Sequence, residues 1–234
     1  MNLSYSRIST LLGCPRKFEL RYVEGVRVPA PSPFYLGRRV HEALAENYRH
    51  KFRDGEDMKA EEVGERFIEL FSEPDEEVDW GESRDYLRDV GVLLIQKYMK
   101  SISPNTRPLN VEFKFERDGV TGICDLIDQR GMVVDYKTSA RRWGQDEADR
   151  KLQPLVYAFG LGGPTNFEFH ILTKTKVPAA YIIQTARSMK EISWFSEVLL
   201  PRVRRQIEAG IFPPNAESNF CREKSCEYYQ ICKG

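Results

Sequence analysis

The spacing of apolar residues changes rhythm once along this chain, near Pro108. Before it the spacing is helical. Leu36, Val40, Leu44 and Tyr48 stand four apart in "LGRRVHEALAENYRHK", the stripe of a helix over 36–51. Similar spacing predicts helices over 58–71 and 83–101, with the polar loop "SEPDEEVDWGE" between them. Two shorter helices, 4–12 and 15–22, break at Cys14-Pro15. Beyond Pro108 the period falls to two. "VEFKFE" alternates over 111–116, and "VTGICDLID" (120–128) and "MVVDYKTS" (132–139) follow as strands. Helix returns over 145–160, "TNFEFHILTK" and "AAYIIQTA" are two more strands, and 188–209 is a long helix. The pattern predicts an α/β fold: a mixed central sheet with helices packed on it and a helical N-terminal segment. Residues 1–234 are read as a single domain. Within it, 1–107 are mainly helical, 108–187 are the sheet core, and 188–234 hold the long helix and a cysteine-rich tail.

The chain has 234 residues, 41% hydrophobic and 30% charged, which suits one globular domain with a real core. The opening "MNLSYSRISTLLGCPRKF" lacks the apolar run of a signal peptide. No stretch approaches the ~20 apolar residues of a membrane span. The expectation is a cytoplasmic protein with no membrane partner. The formal net charge is zero, but its distribution is uneven. Residues 1–53 carry a net +6, residues 54–89 a net −11, and the remainder +5. The acidic stretch is either a solvated helical insertion or a face that keeps anions away and leaves them to the others.

Charges also sit inside the strands. Asp125 interrupts "GICDLID", and Asp135 and Lys137 interrupt "VVDYKTS". Strand side chains alternate faces, so Asp135 and Lys137 share one face and Tyr136 takes the other. Asp125 shares a face with Ile123 and Ile127, and Cys124 points away from it as a small buried thiol. If Gln129-Arg130-Gly131 form a three-residue loop with Gly131 left-handed, residue 128 faces 132 and Asp125 lies opposite Asp135. Facing carboxylates with Cβ atoms about 4.5–5.5 Å apart repel unless a cation lies between them. Lys137 is one cation, available for a structural ion pair. A hard divalent ion with oxygen ligands, Mg²⁺ or Mn²⁺, is the other.

Asp, a turn, then Asp-x-Lys resembles the PD-(D/E)XK nuclease superfamily, and "GICDLID…VVDYKTS" is similar to its RecB-like branch. That branch carries a histidine on an N-terminal helix, matched by His41 in "GRRVHEAL". It also carries a Gln-x-x-x-Tyr helix after the lysine strand, matched by Gln153 and Tyr157 in "LQPLVYAF". The resemblance implies a restriction-endonuclease-like sheet and a DNA nuclease dependent on Mg²⁺ or Mn²⁺. Asp125, Asp135, His41 and the carbonyl of Tyr136 would hold metal. Lys137 would orient or deprotonate a water, and Gln153 and Tyr157 would position substrate or Lys137. Glu112, on the neighbouring strand, is either an outer ligand or a solvated strand residue. Arg141, Arg142, Arg202, Arg204 and Arg205 are candidate phosphate contacts, and Tyr5 and Arg7 would flank the approach to the site.

Five cysteines, Cys14, Cys124, Cys221, Cys226 and Cys232, argue against a disulfide framework by their odd count. Three crowd the tail as Cys-x4-Cys-x5-Cys. A zinc site favours paired Cys-x2-Cys knuckles, which are missing, and three thiols need a fourth, for which Cys14 is the candidate. A 4Fe–4S cluster takes four thiolates. The set is similar to the cysteines of RecB-like nucleases with an iron–sulfur staple joining the termini: AddB-type subunits, exonuclease V and CRISPR-associated relatives. Their tail spacing is Cys-x2-Cys-x5-Cys, so the longer first gap here leaves zinc open. The implied substrate is DNA, single-stranded or with free ends. The implied partners are a helicase or a CRISPR adaptation protein. The rival from another class is a nucleic-acid-binding subunit that kept the fold and lost catalysis.

Overall fold

The computed structural model describes residues 1–234. Its helical first half comprises α1 (Tyr5–Gly13), α2 (Pro15–Phe18, continuing as a π-turn over Glu19–Val23), α3 (Ser32–Asp54), α4 (Ala60–Ser72) and α5 (Arg84–Ser101). Ser4 caps α1 by accepting from the Arg7 N–H, and Pro15 opens α2, where its missing N–H leaves no carbonyl unpaired. Two short strands, β1 (Ala30–Pro31) and β2 (Val78–Asp79), pair in parallel beside these helices. Ladders this short leave no periodic trace in the sequence.

The central sheet holds β3 (Pro108–Arg117), β4 (Val120–Asp128), β5 (Val133–Ser139), β6 (Asn166–Thr173) and β7 (Ala179–Ala186), in that spatial order. β5 and β6 are parallel and every other neighbouring pair is antiparallel. The parallel crossover carries α6 (Gln145–Arg150) and α7 (Gln153–Leu161). The single helix expected over 145–160 is split because Pro154 cannot donate to the Arg150 carbonyl and its ring would crowd it. The helix expected over 188–209 is likewise modulated. α8 (Met189–Trp194) passes through a π-turn (Phe195–Leu199) into α9 (Leu200–Glu208), just where Pro201 lacks a donor. A last short helix, α10 (Tyr229–Lys233), lies in the tail.

Side chains of β5 and β6 alternate between two cores. Val133, Phe167, Phe169 and Ile171 pack with Ile8, Phe18, Val156 and Phe195 from α1, α2, α7 and the π-turn after α8. Val134, Tyr136 and Leu172 pack with Tyr48, Phe67 and Leu94 from α3, α4 and α5. The sheet is thus covered on both faces, which is why β6 is buried continuously from Phe167 to Thr173. The result is a mixed α/β fold, a five-stranded mixed sheet flanked by helices. No helix is long and apolar enough to cross a membrane.

Candidate active site

The β4–β5 hairpin turns through Gln129-Arg130-Gly131, with Gly131 at φ 76°, a conformation a Cβ would disfavour. The Asp128 carboxylate accepts from the N–H groups of Arg130 and Met132 at 2.8 and 3.0 Å, fixing the loop. Leu126 pairs with Val134 and Ile127 with Val133. One step further this register sets Asp125 across from Asp135, and there the backbone pairing stops. On the other side of β4, the position facing Asp125 is Glu112. It has φ 51° and is unpaired between the Val111–Leu126 and Phe113–Cys124 pairs. Face alternation breaks at the same point: Cys124 packs in the core under α7, and Leu126 in the core under α3. Strict alternation, which set Cys124 and Asp125 on opposite faces, does not survive this kink. Glu112 itself pairs with Arg49.

Three helices complete the pocket. α3 brings His41, whose Nδ1 lies 3.1 Å from Asp125 Oδ2. One turn earlier, a Cβ on Gly37 would stand 3.0 Å from Thr138 Oγ1, so glycine lets α3 settle onto β5. Asp125 Oδ2 also accepts from the Tyr136 N–H at 2.9 Å. On β5, Lys137 Nζ is 2.5 Å from Asp135 Oδ2. From α7, Gln153 Nε2 donates to Asp135 Oδ1 at 2.5 Å and to Tyr157 Oη at 3.1 Å, and the Tyr157 hydroxyl donates to the Ile123 carbonyl at 2.8 Å. Tyr5, on α1, is close enough to Lys137 to act on its charge. The six residues His41, Asp125, Asp135, Lys137, Gln153 and Tyr157 are therefore brought together.

The electrostatics sort these groups into two ion pairs. Burial pushes the Asp135 carboxyl up, with Asp125 adding to it, and Lys137 and His41 only partly offset this. Burial acts on Asp125 too, but His41, the Tyr136 N–H and Lys137 prevail and hold it below the usual range. Burial alone would lower His41, yet the Asp125 carboxylate raises it; Asp135 does the same for Lys137. No group of three or more His, Cys, Asp or Glu side chains is drawn into a metal-holding cluster anywhere in the chain. The reason here is that each carboxylate is claimed by its own cation. One oxygen is left over: Gln153 Oε1 is buried without a hydrogen bond, whereas Asp135 Oδ2 is held by Lys137.

The sequence model of the PD-(D/E)XK nuclease superfamily matches residues 2–233. The chain belongs to that superfamily. Nucleases of that superfamily use divalent metals such as Mg²⁺ or Mn²⁺. Five chains of solved structure match this chain. One is a candidate exonuclease from Eubacterium rectale, 14% identical, with a TM-score of 0.57, covering 100% of this chain and 88% of that one. At that identity the likeness speaks for the fold. No curated protein matches the chain.

The nuclease's proposed phosphate contacts are scattered. Arg141 and Arg142 follow directly on β5, the first bonded to Glu147 at 2.7 Å and the second stacked on Tyr181 at 4.8 Å. Arg204 reaches the Asp118 carbonyl at the far tip of the β3–β4 hairpin. That is roughly 20 Å of strand from Asp125, so the fold sets Arg204 apart from the carboxylates. Arg202 bonds the Val198 carbonyl of its own helical segment, and Arg7 lies over the Tyr22 ring at 5.3 Å.

The second constellation lies at the other end of α1. Cys14, Cys221, Cys226 and Cys232 line one cavity and all are free thiols. The tail reaches them through Lys17–Glu227 at 2.8 Å, Tyr228 to the Val26 carbonyl at 3.1 Å, and Asn215 to the Gly13 carbonyl at 3.0 Å. The fold thus gathers the four thiols without closing them into a ligand group. An iron–sulfur staple is not shown; what joins the termini here is this set of polar contacts. Cys124 is separate and fully buried, and desolvation pushes its thiol up to about 12.

Proposed function

We propose that this protein is a divalent-metal-dependent deoxyribonuclease that hydrolyses phosphodiester bonds in single-stranded DNA or at DNA ends. The observation that supports it best is the meeting of Asp125, Asp135, Lys137 and His41 in one pocket. Asp125, Asp135, His41 and the Tyr136 carbonyl would hold the cation, and the imidazole tilts preference toward Mn²⁺. Bound there, a divalent ion supplies Lewis acidity and a water of lowered pKa. Lys137, held as an ammonium by Asp135, stabilises the charge that develops on the phosphate and orients the attacking water. Gln153 keeps Asp135 aimed, and Tyr157 keeps Gln153 in place. Arg141 and Arg142, just beyond β5, are the candidate phosphate contacts nearest the carboxylates in sequence. The four cysteines lining the second cavity are assigned to a structural metal centre, 4Fe–4S in the first instance and zinc in the second.

The test is degradation of end-labelled single-stranded DNA with Mg²⁺ or Mn²⁺. Asp135→Ala and Lys137→Ala abolish it while circular dichroism stays that of the folded protein. Undiminished cleavage in both variants would remove this pocket from the reaction. A wild type that binds DNA and never cuts it would make the chain a binding subunit instead. The second cavity is read by eye: a brown, oxygen-protected preparation absorbing near ~400 nm holds iron–sulfur, and a colourless one bearing zinc does not.

A further inference from the structure

Tyr136 sits between Asp135 and Lys137, and its N–H holds Asp125. Its ring points the other way, into the core under α3 and α5. There its hydroxyl is buried with no hydrogen-bond partner. The ring is therefore placed by its neighbours alone. Tyr48 lies parallel to it at 6.3 Å between centroids, Tyr98 edge-on at 5.7 Å, and His170 at 6.0 Å. His41 rests edge-on against the same ring at 5.4 Å.

Three of these neighbours are tied in series. Tyr48 Oη is 2.8 Å from Tyr98 Oη, Tyr98 Oη is 2.8 Å from His170 Nδ1, and His170 Nε2 is 3.1 Å from Glu168 Oε2. All four side chains are buried. Glu168 is further tied by Arg130 at 3.0 Å and Gln184 at 2.9 Å. One proton order satisfies every member. His170 Nε2–H donates to the Glu168 carboxylate, which leaves Nδ1 to accept from Tyr98. The Tyr98 oxygen then accepts from the Tyr48 hydroxyl. Burial, which holds His170 below its ordinary value against the pull of Glu168, agrees with a neutral ring.

The series spans three elements. Glu168 and His170 are on β6, where His170 is the ladder partner of Tyr136; Tyr98 is on α5 and Tyr48 on α3. Tyr48 follows His41 by seven residues, so both lie on one face of α3, about 10 Å apart along its axis. We propose that Glu168–His170–Tyr98–Tyr48 is a positioning strut. It sets how closely α3 stands over β5, and so how His41 meets Asp125 and the divalent cation. The inference rests on the metal-site reading given above.

Tyr98→Phe removes one oxygen from the strut and keeps the ring. Two measurements read it: Mn²⁺ affinity by electron paramagnetic resonance, and hydrogen exchange of the Tyr136 amide in metal-free protein. The expected result is about tenfold weaker Mn²⁺ binding, with faster exchange at Tyr136 than elsewhere on β5. Val63→Ala, a cavity in the α4 packing, lowers the melting temperature and moves neither reading. Should Tyr98→Phe fail to fold, Tyr48→Phe deletes only the terminal hydroxyl and is read the same way. Wild-type Mn²⁺ affinity in the strut variant, or an equal loss in Val63→Ala, overturns the proposal. Wild type that takes up no Mn²⁺, or takes it up undiminished in His41→Ala, overturns the metal site itself and the strut's role with it.

Discussion

In the carboxylate pocket every charge already has its opposite: Asp125 has His41, and Asp135 has Lys137. Strands and helices locked into two cores hold these groups, and Asp135 and Gln153 are almost wholly buried. In the cysteine cavity four thiols line one space with a single hydrogen bond to sulfur, from the Asn215 N–H to Cys14 at 3.4 Å. Its walls come from segments some 200 residues apart and are joined by surface contacts. The difference teaches which site a ligand must build and which it merely enters. Emptying the first should alter chemistry and spare the fold. Emptying the second should loosen the fold.

The contrast is broken most forcefully at Lys137. Lys137→Ala is expected to slow DNA hydrolysis by about 10³-fold or more with a melting temperature close to that of wild type; a large thermal loss would mean that the pocket also supports the fold. Cys226→Ser is expected to do the reverse. Releasing a cross-linked loop of roughly 200 residues forfeits about 5 kcal/mol, which for a chain of this size is a fall of about 10–20 °C in a calorimetric scan. A scan unchanged by Cys226→Ser would show that the cavity carries no structural centre. Gln153→Ala frees Asp135 from its guide and is expected to lower kcat by about tenfold in steady-state assays. Gly37→Ala pushes on Thr138, and a loss of a few-fold in Mn²⁺ affinity is expected by titration calorimetry. Cys124 gives the smallest effect: with its thiol pushed up to about 12 it stays protonated, so iodoacetamide at pH 8 should spare it in native protein and label it once the chain is unfolded, as peptide mass spectrometry will show.

Much of the pocket was legible because its parts are local. The Gln129–Gly131 loop dictates the hairpin register, and the register dictates that Asp125 meets Asp135. His41 could be placed only through family resemblance, since nothing along the chain links a helix at 41 to a strand at 125. The kink at Glu112 left no trace, because left-handed backbone at a glutamate is imposed by tertiary contacts rather than by propensity. The helix break before Gln153 is written in Pro154, whose missing N–H interrupts the helix expected over 145–160. Glu168 and His170 were also a readable sign. Two titratable residues in a run as apolar as "NFEFHILT" need buried partners. Tyr98, the partner of His170, lies 72 residues away in sequence, and only the fold brings it near.

The left-handed Glu112 has a consequence for how this molecule meets its own copies. β3 is an edge strand, and its outer rim would ordinarily be a template on which a stray strand could zip. A residue at φ 51° in its middle breaks that rim into two short runs, neither long enough to nurse a growing ladder. The same irregularity that interrupts the ladder beside Asp125 leaves β3 a poorer template for strand addition.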